Sequence, residues 1–192
     1  LLSLSKRELK SGYAEVLKHA LISDLFFFKF LEKNYKKIFN LELKTLEQII
    51  FKSIKIKSKF VNNDTKEILT NNNSRAILNF GHTFGHALET YYKYNNKFTH
   101  GEAISIGMII ASKISYKFGY INEYELKKIF NHFIDVGLPT KDINMYSSKI
   151  FTIIKKDKKN LRNDINLILL KKIGKAHFSR GNSIKKIKKN IY

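Results

Sequence analysis

The chain has 192 residues, of which 43% are hydrophobic and 13% are aromatic. This length and composition are typical of one globular domain with a hydrophobic core, and they exclude a disordered chain. There are no cysteines, so disulfides and thiolate metal sites are excluded and any metal must be held by His, Asp or Glu. No apolar run approaches the length of a membrane span, so we expect a cytoplasmic protein without a membrane partner. The first residue is Leu1 and not Met, which leaves open that the chain is a piece of a longer protein.

The net charge of +20 comes from 36 Lys and Arg residues against 16 Asp and Glu residues. Such a charge is typical of proteins that bind nucleic acids. However, Lys far outnumbers Arg, and the other abundant residues (Asn, Ile, Phe and Tyr) share its A/T-rich codons, so a base-biased genome accounts for the excess. The lysines are also spread along the chain. We therefore expect no nucleic-acid partner, and a basic helical binding module remains only an alternative.

The first third of the chain is predicted to be helical. The capping-box pattern from Ser5 to Glu8 predicts the start of a helix in which Glu15, Lys18 and His19 share one face. Two amphipathic patterns follow, from Asp24 to Ile38 and from Thr45 to Phe60. The alternating end of the second pattern also fits a strand, but the spacing of its apolar residues continues the helix.

The stretch from Arg75 to Glu89 is predicted to be one helix. Its polar or titratable residues form one stripe: Arg75, Asn79, His82, His86 and Glu89. Glycines at 81 and 85 each cost about 1 kcal/mol of helix propensity, which indicates close approach of another backbone or of a ligand. The simpler interpretation is a surface helix with two incidental histidines.

The second half of the chain begins with another capping box, from Thr99 to Glu102, which places His100 in the first turn of a helix that is apolar nearly all round. Further helices are predicted around 122–133 and 147–155, and strands at 165–170 and 176–179 form a hairpin. The basic tail from Gly181 is predicted to be irregular. The fold class is therefore mainly α: a single all-helical domain over residues 1–192 with a small C-terminal β-hairpin.

A zinc site without thiolates commonly uses two His and one carboxylate and leaves one position open. Glu15, His82 and His100 can supply such a set, and His86 competes for either histidine place. Donors suited to an anionic, hydroxyl-bearing ligand lie elsewhere in the sequence: Lys18, Lys57, Arg75, Asn79 and Lys158 or Lys159.

Five blocks, in this order and across nearly the whole chain, resemble the C-terminal domain of 3-dehydroquinate synthase. They are residues 6–19, 78–89, 100–108, 137–139 and 156–159. The resemblance implies that Glu15, His82 and His100 hold Zn2+ or Co2+. It also implies that the substrate is bound by Lys18, Lys57, Arg75, Asn79, His86 and one of Lys158 and Lys159, and that Leu1, Leu2 and Ser3 fall at the last nucleotide contacts.

The family reaction converts 3-deoxy-D-arabino-heptulosonate 7-phosphate to 3-dehydroquinate and phosphate, in the shikimate pathway. NAD+ removes a hydride and later returns it, phosphate leaves by elimination, and an intramolecular aldol step closes the ring. The family carries NAD+ mainly on an N-terminal α/β domain that this chain lacks. The resemblance therefore implies a half-enzyme, truncated or separately encoded, that is inactive alone and that forms a homodimer when complete. The alternative within the superfamily is another sugar-phosphate cyclase, such as a 2-deoxy-scyllo-inosose synthase.

Overall fold

The computed structural model describes residues 3–95, 97–156 and 164–191. The helices are α1 (Lys6–Ser23), α2 (Leu25–Phe39), α3 (Leu43–Asn63), α4 (His82–Tyr91), α5 (His100–Lys117), α6 (Glu123–Asp135), α7 (Ser148–Lys156) and α8 (Ile184–Ile191). Short 3-10 helices span Arg75–Asn79 and Ile143–Tyr146, and β1 (Asp164–Lys172) pairs antiparallel with β2 (Lys175–Ser183). The predicted mainly helical domain with a C-terminal hairpin is confirmed. None of the described helices is long and apolar enough to cross a membrane.

Both predicted capping boxes are present. The Ser5 hydroxyl and the Glu8 carboxylate bond reciprocally to each other's backbone N–H groups at the start of α1, and Thr99 and Glu102 do the same at the start of α5. Each box satisfies two N–H groups that would otherwise lack partners at a helix start. The second box makes His100 the first residue of α5.

Helix α5 forms the centre of the hydrophobic core. It is buried on nearly all sides, as its apolar sequence predicts, and α1, α4, α6, α8 and β1 pack around it. Its closest neighbour is α4, and three glycines permit that approach. A Cβ at Gly107 would collide with the carbonyl oxygen of Gly81, and one at Gly85 would lie 3.0 Å from the Cα of Ile104. The close backbone approach predicted from Gly81 and Gly85 is confirmed.

The prediction of one continuous helix from Arg75 to Glu89 is wrong. Residues Arg75–Asn79 form a 3-10 helix, and α4 begins only at His82. Phe80 breaks the helical path with ψ 123° and is fully buried, while Gly81 has φ +81°, a left-handed conformation that favours glycine. The break places the Gly81 carbonyl against α5, so tertiary packing overrides the helical period.

The prediction of an irregular tail from Gly181 is also wrong. Strand β2 continues to Ser183, and α8 follows it directly. The buried Asn182 amide donates to the carbonyl oxygens of Ile165 and Ser179, which anchors the end of the strand. Ile187 of α8 is fully buried and the partly buried Ile184 packs against the same core, so apolar side chains in a basic segment dock this helix.

A second buried polar contact joins α1 to α6. The Tyr13 hydroxyl and the His132 Nε2 lie 2.8 Å apart, and only 2% of each residue is exposed. Burial lowers the pKa of His132 to about 4, because the charged ring would lose its hydration.

We expect His132 to make the fold acid-sensitive. Its folded-state pKa lies below the unfolded value of about 6.5, so the unfolded chain binds the proton first and stability falls as the pH drops from 6.5 towards 4. The contribution is about 3 kcal/mol. Urea unfolding at pH 7 and pH 4 should therefore show a smaller acid loss in His132→Gln than in wild type. Tyr13→Phe, which keeps the titrating ring, should retain the loss, and equal losses in wild type and His132→Gln would contradict this account.

We also expect Gly107→Ala to destabilise the fold by roughly 2–3 kcal/mol, because the added methyl would overpack the α4–α5 crossing. Gly12→Ala is the matched control. Gly12 lies exposed in α1 with no atom within 4 Å of its Cβ position, so helix propensity should stabilise that variant by up to about 1 kcal/mol. Thermal or urea unfolding measures both, and a neutral Gly107→Ala would show that the crossing can relax.

Candidate metal and substrate site

Glu15 stands at the centre of the candidate site. Its Oε2 accepts a hydrogen bond of 2.6 Å from the Lys18 ammonium one turn later on α1. Its Oε1 is buried and has no hydrogen-bond partner among the described residues. That oxygen lies 3.9 Å from Nε2 of His82 and 3.9 Å from Nε2 of His100. The structure therefore brings the three predicted metal ligands together around one unsatisfied carboxylate oxygen.

The donor set fits a divalent metal. One ligand atom from each of Glu15, His82 and His100 lies within 4.8 Å of the other two. Around tetrahedral zinc with bonds of about 2.0–2.1 Å, ligand atoms are separated by about 3.3 Å. The two 3.9 Å distances would each contract by about half an ångström on metal binding, and the two histidine nitrogens, which lie within 4.8 Å, would also approach each other.

His82 is already in the form that a metal requires. Its Nδ1 lies 3.2 Å from the carbonyl oxygen of Phe80, so Nδ1–H donates to that oxygen and Nε2 keeps its lone pair. Burial, together with the nearby Lys18 cation, lowers the pKa of His82 to about 3. The ring is therefore neutral at physiological pH.

The charge of Glu15 is held by Lys18. Burial alone would raise the pKa of the Glu15 carboxyl, but the Lys18 ammonium and its hydrogen bond keep that pKa below its usual value. Lys18 is only 3% exposed, and burial lowers its pKa despite the opposing effect of Glu15. The pair is therefore nearly neutral as a unit, and the carboxylate stays ionised to act as a ligand.

A second possible ligand group shares one histidine with the first. His86, Glu89 and His100 also offer atoms within 4.8 Å of one another. The ring centroids of His82 and His86 are 5.1 Å apart, and those of His86 and His100 are 6.0 Å apart. The competition between His82 and His86 that the sequence left open is thus also present in the geometry.

A polar cavity of about 260 Å³ adjoins Glu15 and His82. It is lined by Glu15, Lys18, His19, Lys57, Glu67, Arg75, Leu78, Asn79 and His82. Four of the predicted substrate-binding residues, Lys18, Lys57, Arg75 and Asn79, therefore lie in one cavity beside the metal ligands. The lining carries the cations of Lys18, Lys57 and Arg75 against the carboxylates of Glu15 and Glu67, which leaves a net positive charge suited to an anionic ligand.

Two polar lining residues, His19 and Glu67, were missed from the sequence. His19 was placed on the face of Glu15 and Lys18 but not in the site; its Nδ1 lies 2.7 Å from the Ser53 hydroxyl, and burial lowers its pKa to about 4. Glu67 lies in a loop with φ +53° and accepts a hydrogen bond of 3.2 Å from the Asn79 amide. No periodicity marks a loop residue such as Glu67.

Asp64 orders the loop that carries Glu67 and leads into the 3-10 helix at Arg75. Its carboxylate accepts from the backbone N–H groups of Ile68 and Arg75 at 2.8 and 3.0 Å, and from the Ser74 hydroxyl at 3.2 Å. Burial would raise the pKa of Asp64, but these hydrogen bonds hold it below its usual value. The loop is therefore tied to the end of α3 although it has no regular structure of its own.

The remaining predicted site residues are placed differently. His86 lines a separate hollow of about 310 Å³ between α4 and α7, together with Ile153, Ile154 and Lys156. Ser3 is exposed in the turn before α1. The other predicted residues, Leu1, Leu2, Lys158 and Lys159, lie outside the described residues.

Comparison with known proteins identifies the family. Residues 12–160 match the family model described as 3-dehydroquinate synthase C-terminal. The chain belongs to this family. A 3-dehydroquinate synthase of Thermoanaerobacter pseudethanolicus is 43% identical over 174 residues, which are 91% of this chain and 48% of that protein. The chain thus spans about half the length of the curated relatives it matches.

Two solved structures share the fold of this chain. The 2-epi-5-epi-valiolone synthase ValA of Streptomyces hygroscopicus subsp. jinggangensis, with NAD+ and Zn2+ bound, superposes with a TM-score of 0.85 at 21% identity. The match covers 98% of this chain and 51% of ValA. A 2-deoxy-scyllo-inosose synthase complexed with carbaglucose-6-phosphate, NAD+ and Co2+ gives a TM-score of 0.66 at 24% identity, over 100% of this chain and 53% of that one.

Proposed function

We propose that this chain is the metal- and substrate-binding half of a 3-dehydroquinate synthase, which converts 3-deoxy-D-arabino-heptulosonate 7-phosphate to 3-dehydroquinate and phosphate. The observation that carries the proposal is the buried Oε1 of Glu15, which has no hydrogen-bond partner in the described part of the chain and faces Nε2 of His82 and of His100 at the edge of a cationic cavity. Family membership supplies the reaction, and the cavity supplies groups of the right charge.

Glu15, His82 and His100 would hold Zn2+ or Co2+. When bound, the metal supplies Lewis-acid polarisation of a substrate hydroxyl and ketone, and NAD+ supplies the transient oxidation. Three protein ligands leave an open position for a substrate oxygen. The Lys18 ammonium keeps Glu15 ionised, and the Phe80 carbonyl keeps the His82 lone pair directed at the site.

The cationic cavity would bind and orient the substrate. Lys57 and Arg75 would hold its carboxylate and phosphate, and the Asn79 amide, fixed by Glu67, would contact a hydroxyl. His86, on the far side of His82, would be a polar neighbour of the substrate and not a metal ligand. Either Lys158 or Lys159 would add a further cation. Cations near the leaving phosphate stabilise the charge that develops as it departs.

The complete enzyme would need a second half. We infer that residues 1–192 form a single helical domain that works with an N-terminal NAD-binding α/β domain. The inference is supported by the length of the relatives, because this chain matches only about half of each. Leu1, Leu2 and Ser3 would lie at the nucleotide, and the complete enzyme would be a cytoplasmic homodimer. On this account the 192-residue chain alone should not turn over.

A sugar-phosphate cyclase with another substrate is the second candidate, because the solved neighbours with this fold are synthases of 2-epi-5-epi-valiolone and 2-deoxy-scyllo-inosose. The test is to combine the chain with the N-terminal half of the Thermoanaerobacter relative and to measure phosphate release. Release from 3-deoxy-D-arabino-heptulosonate 7-phosphate supports the first candidate. Release from glucose 6-phosphate alone, or from neither sugar, would contradict it.

Arg75→Ala should weaken the substrate far more than NAD+ in the complete two-domain enzyme. A lost charge-assisted hydrogen bond costs about 1.5–3 kcal/mol, or roughly 10- to 150-fold in affinity. Substrate and NAD+ dissociation constants, measured by titration calorimetry, give the comparison. Lys66→Ala is the matched control, because Lys66 is an exposed cation in the loop before the 3-10 helix of Arg75 and does not line the cavity. Equal weakening of both ligands would show that Arg75 is not a substrate anchor.

His82→Ala should abolish tight metal binding, whereas His86→Ala should retain the metal and lose turnover in the complete enzyme. The reason is that Nε2 of His82 faces the unpartnered Glu15 oxygen, and a fourth protein ligand from His86 would close the open position. Metal content of the two purified variants decides between them. Loss from His86→Ala with retention in His82→Ala would reverse the assignment.

A further inference from the structure

Glu89 makes a contact that the proposed site does not use. It lies on α4, seven residues after His82, and its Oε1 is 3.0 Å from Nδ1 of His100 across the α4–α5 crossing. The Glu89 side chain is only 13% exposed. Among the described residues, no Lys or Arg pairs with this carboxylate, so His100 is the group that its charge meets.

The opposite nitrogen of the same ring faces the metal ligands. Nε2 of His100 lies 3.9 Å from the unpartnered Oε1 of Glu15. A carboxylate that accepts from Nδ1–H forces the lone pair onto Nε2, so it selects the tautomer able to bind a metal on the Glu15 side. His82 shows the same arrangement, with the Phe80 carbonyl in the place of the carboxylate.

The alternative role for Glu89 is that of a ligand, together with His86 and His100. The hydrogen bond weighs against this, because a ring nitrogen that donates to a carboxylate is not free to hold a metal. Charge balance gives Glu89 a role beside a metal on the Glu15 side. Because Lys18 neutralises Glu15, a divalent ion there would lack compensating negative charge, and Glu89 can supply one negative charge through the His100 ring.

We propose that Glu89 is a positioning residue that orients His100 and increases its basicity towards the metal held by Glu15, His82 and His100. The inference rests on the proposed metal site and adds a residue to it. Carboxylate partners of ligating histidines typically contribute 10- to 100-fold in metal affinity. The 48% exposure of the His100 side chain makes such a restraint necessary, since packing alone does not fix the ring.

The test is Zn2+ affinity of the full chain, measured by competition with a chromogenic chelator, for wild type and Glu89→Gln. The amide keeps the size of the side chain but removes its charge, so we expect roughly a 10- to 100-fold loss. Glu123→Gln is the matched control, because it removes one carboxylate from an exposed helical ion pair with Lys127 and should leave affinity unchanged. Metal-free unfolding curves that coincide for wild type and Glu89→Gln exclude a folding defect, and the Co2+ absorption spectrum should change in Glu89→Gln only.

A double-mutant cycle assigns the effect to His100. Glu89→Gln should cause little further loss in a His100→Ala background and its full loss in a His86→Ala background. Wild-type affinity in Glu89→Gln, or a full additional loss on top of His100→Ala, would overturn the positioning role while leaving the proposed site standing. Loss of Zn2+ from His86→Ala but not from Glu15→Ala would instead move the metal to the second ligand group and overturn both.

Discussion

The close crossing of α4 over α5 is the constraint on which the candidate site depends. His82 begins one helix and His100 begins the other, so their separation is set by how near the two backbones come. The distances from Glu15 to His82 and to His100 already exceed those around tetrahedral zinc by about half an ångström. Side chains in place of the glycines at the crossing would push the two helices further apart. Gly81 contributes twice, because its left-handed φ also ends the 3-10 segment and starts α4 with His82 directed towards Glu15. The close packing of the two backbones therefore also sets the spacing of the candidate metal ligands.

Electrostatics provides the second requirement, since a metal site must bury charge before its metal arrives. The Lys18–Glu15 pair keeps a carboxylate charged in a buried position. This costs desolvation free energy, because burial opposes the charged form of both groups. One carboxylate oxygen is satisfied by the ammonium, and the other is left without a partner among the described residues. A pair optimised for stability alone would satisfy both oxygens. An unpartnered buried oxygen costs roughly 1–3 kcal/mol, and this cost is understandable where a cation restores the balance.

The sequence predicts local features of this site better than its path through space. Capping boxes at Ser5 and Thr99 depend on residues three apart in the sequence, so the starts of α1 and α5 were predictable. Gly81 and Gly85 in a helical pattern likewise predicted a close backbone approach. The helical period wrongly predicted one continuous helix from Arg75 to Glu89. The burial of Phe80 and the contact of Gly81 with α5 interrupt it, and these are tertiary effects that a period cannot show. Arg75, Asn79 and His82 nevertheless line one cavity, since the break turns the 3-10 segment towards it, whereas His86 and Glu89 face other hollows. Glu67 was unpredictable because the loop that presents it is held by the carboxylate of Asp64.

The three histidines divide the surface around the candidate metal position into separate regions. His82 borders the cationic cavity, His86 borders the hollow beside α7, and His100 borders a hollow of about 210 Å³ that it shares with Glu89 and Tyr92. A substrate anchored by cations in the first region would reach the open metal position past His82. The third region would then be left to the carboxylate that orients His100, away from the reacting atoms. On the proposed function, this arrangement would place Glu89, which orients a metal ligand, apart from Lys57 and Arg75, which would contact substrate, so Glu89 could be altered without removing a substrate contact.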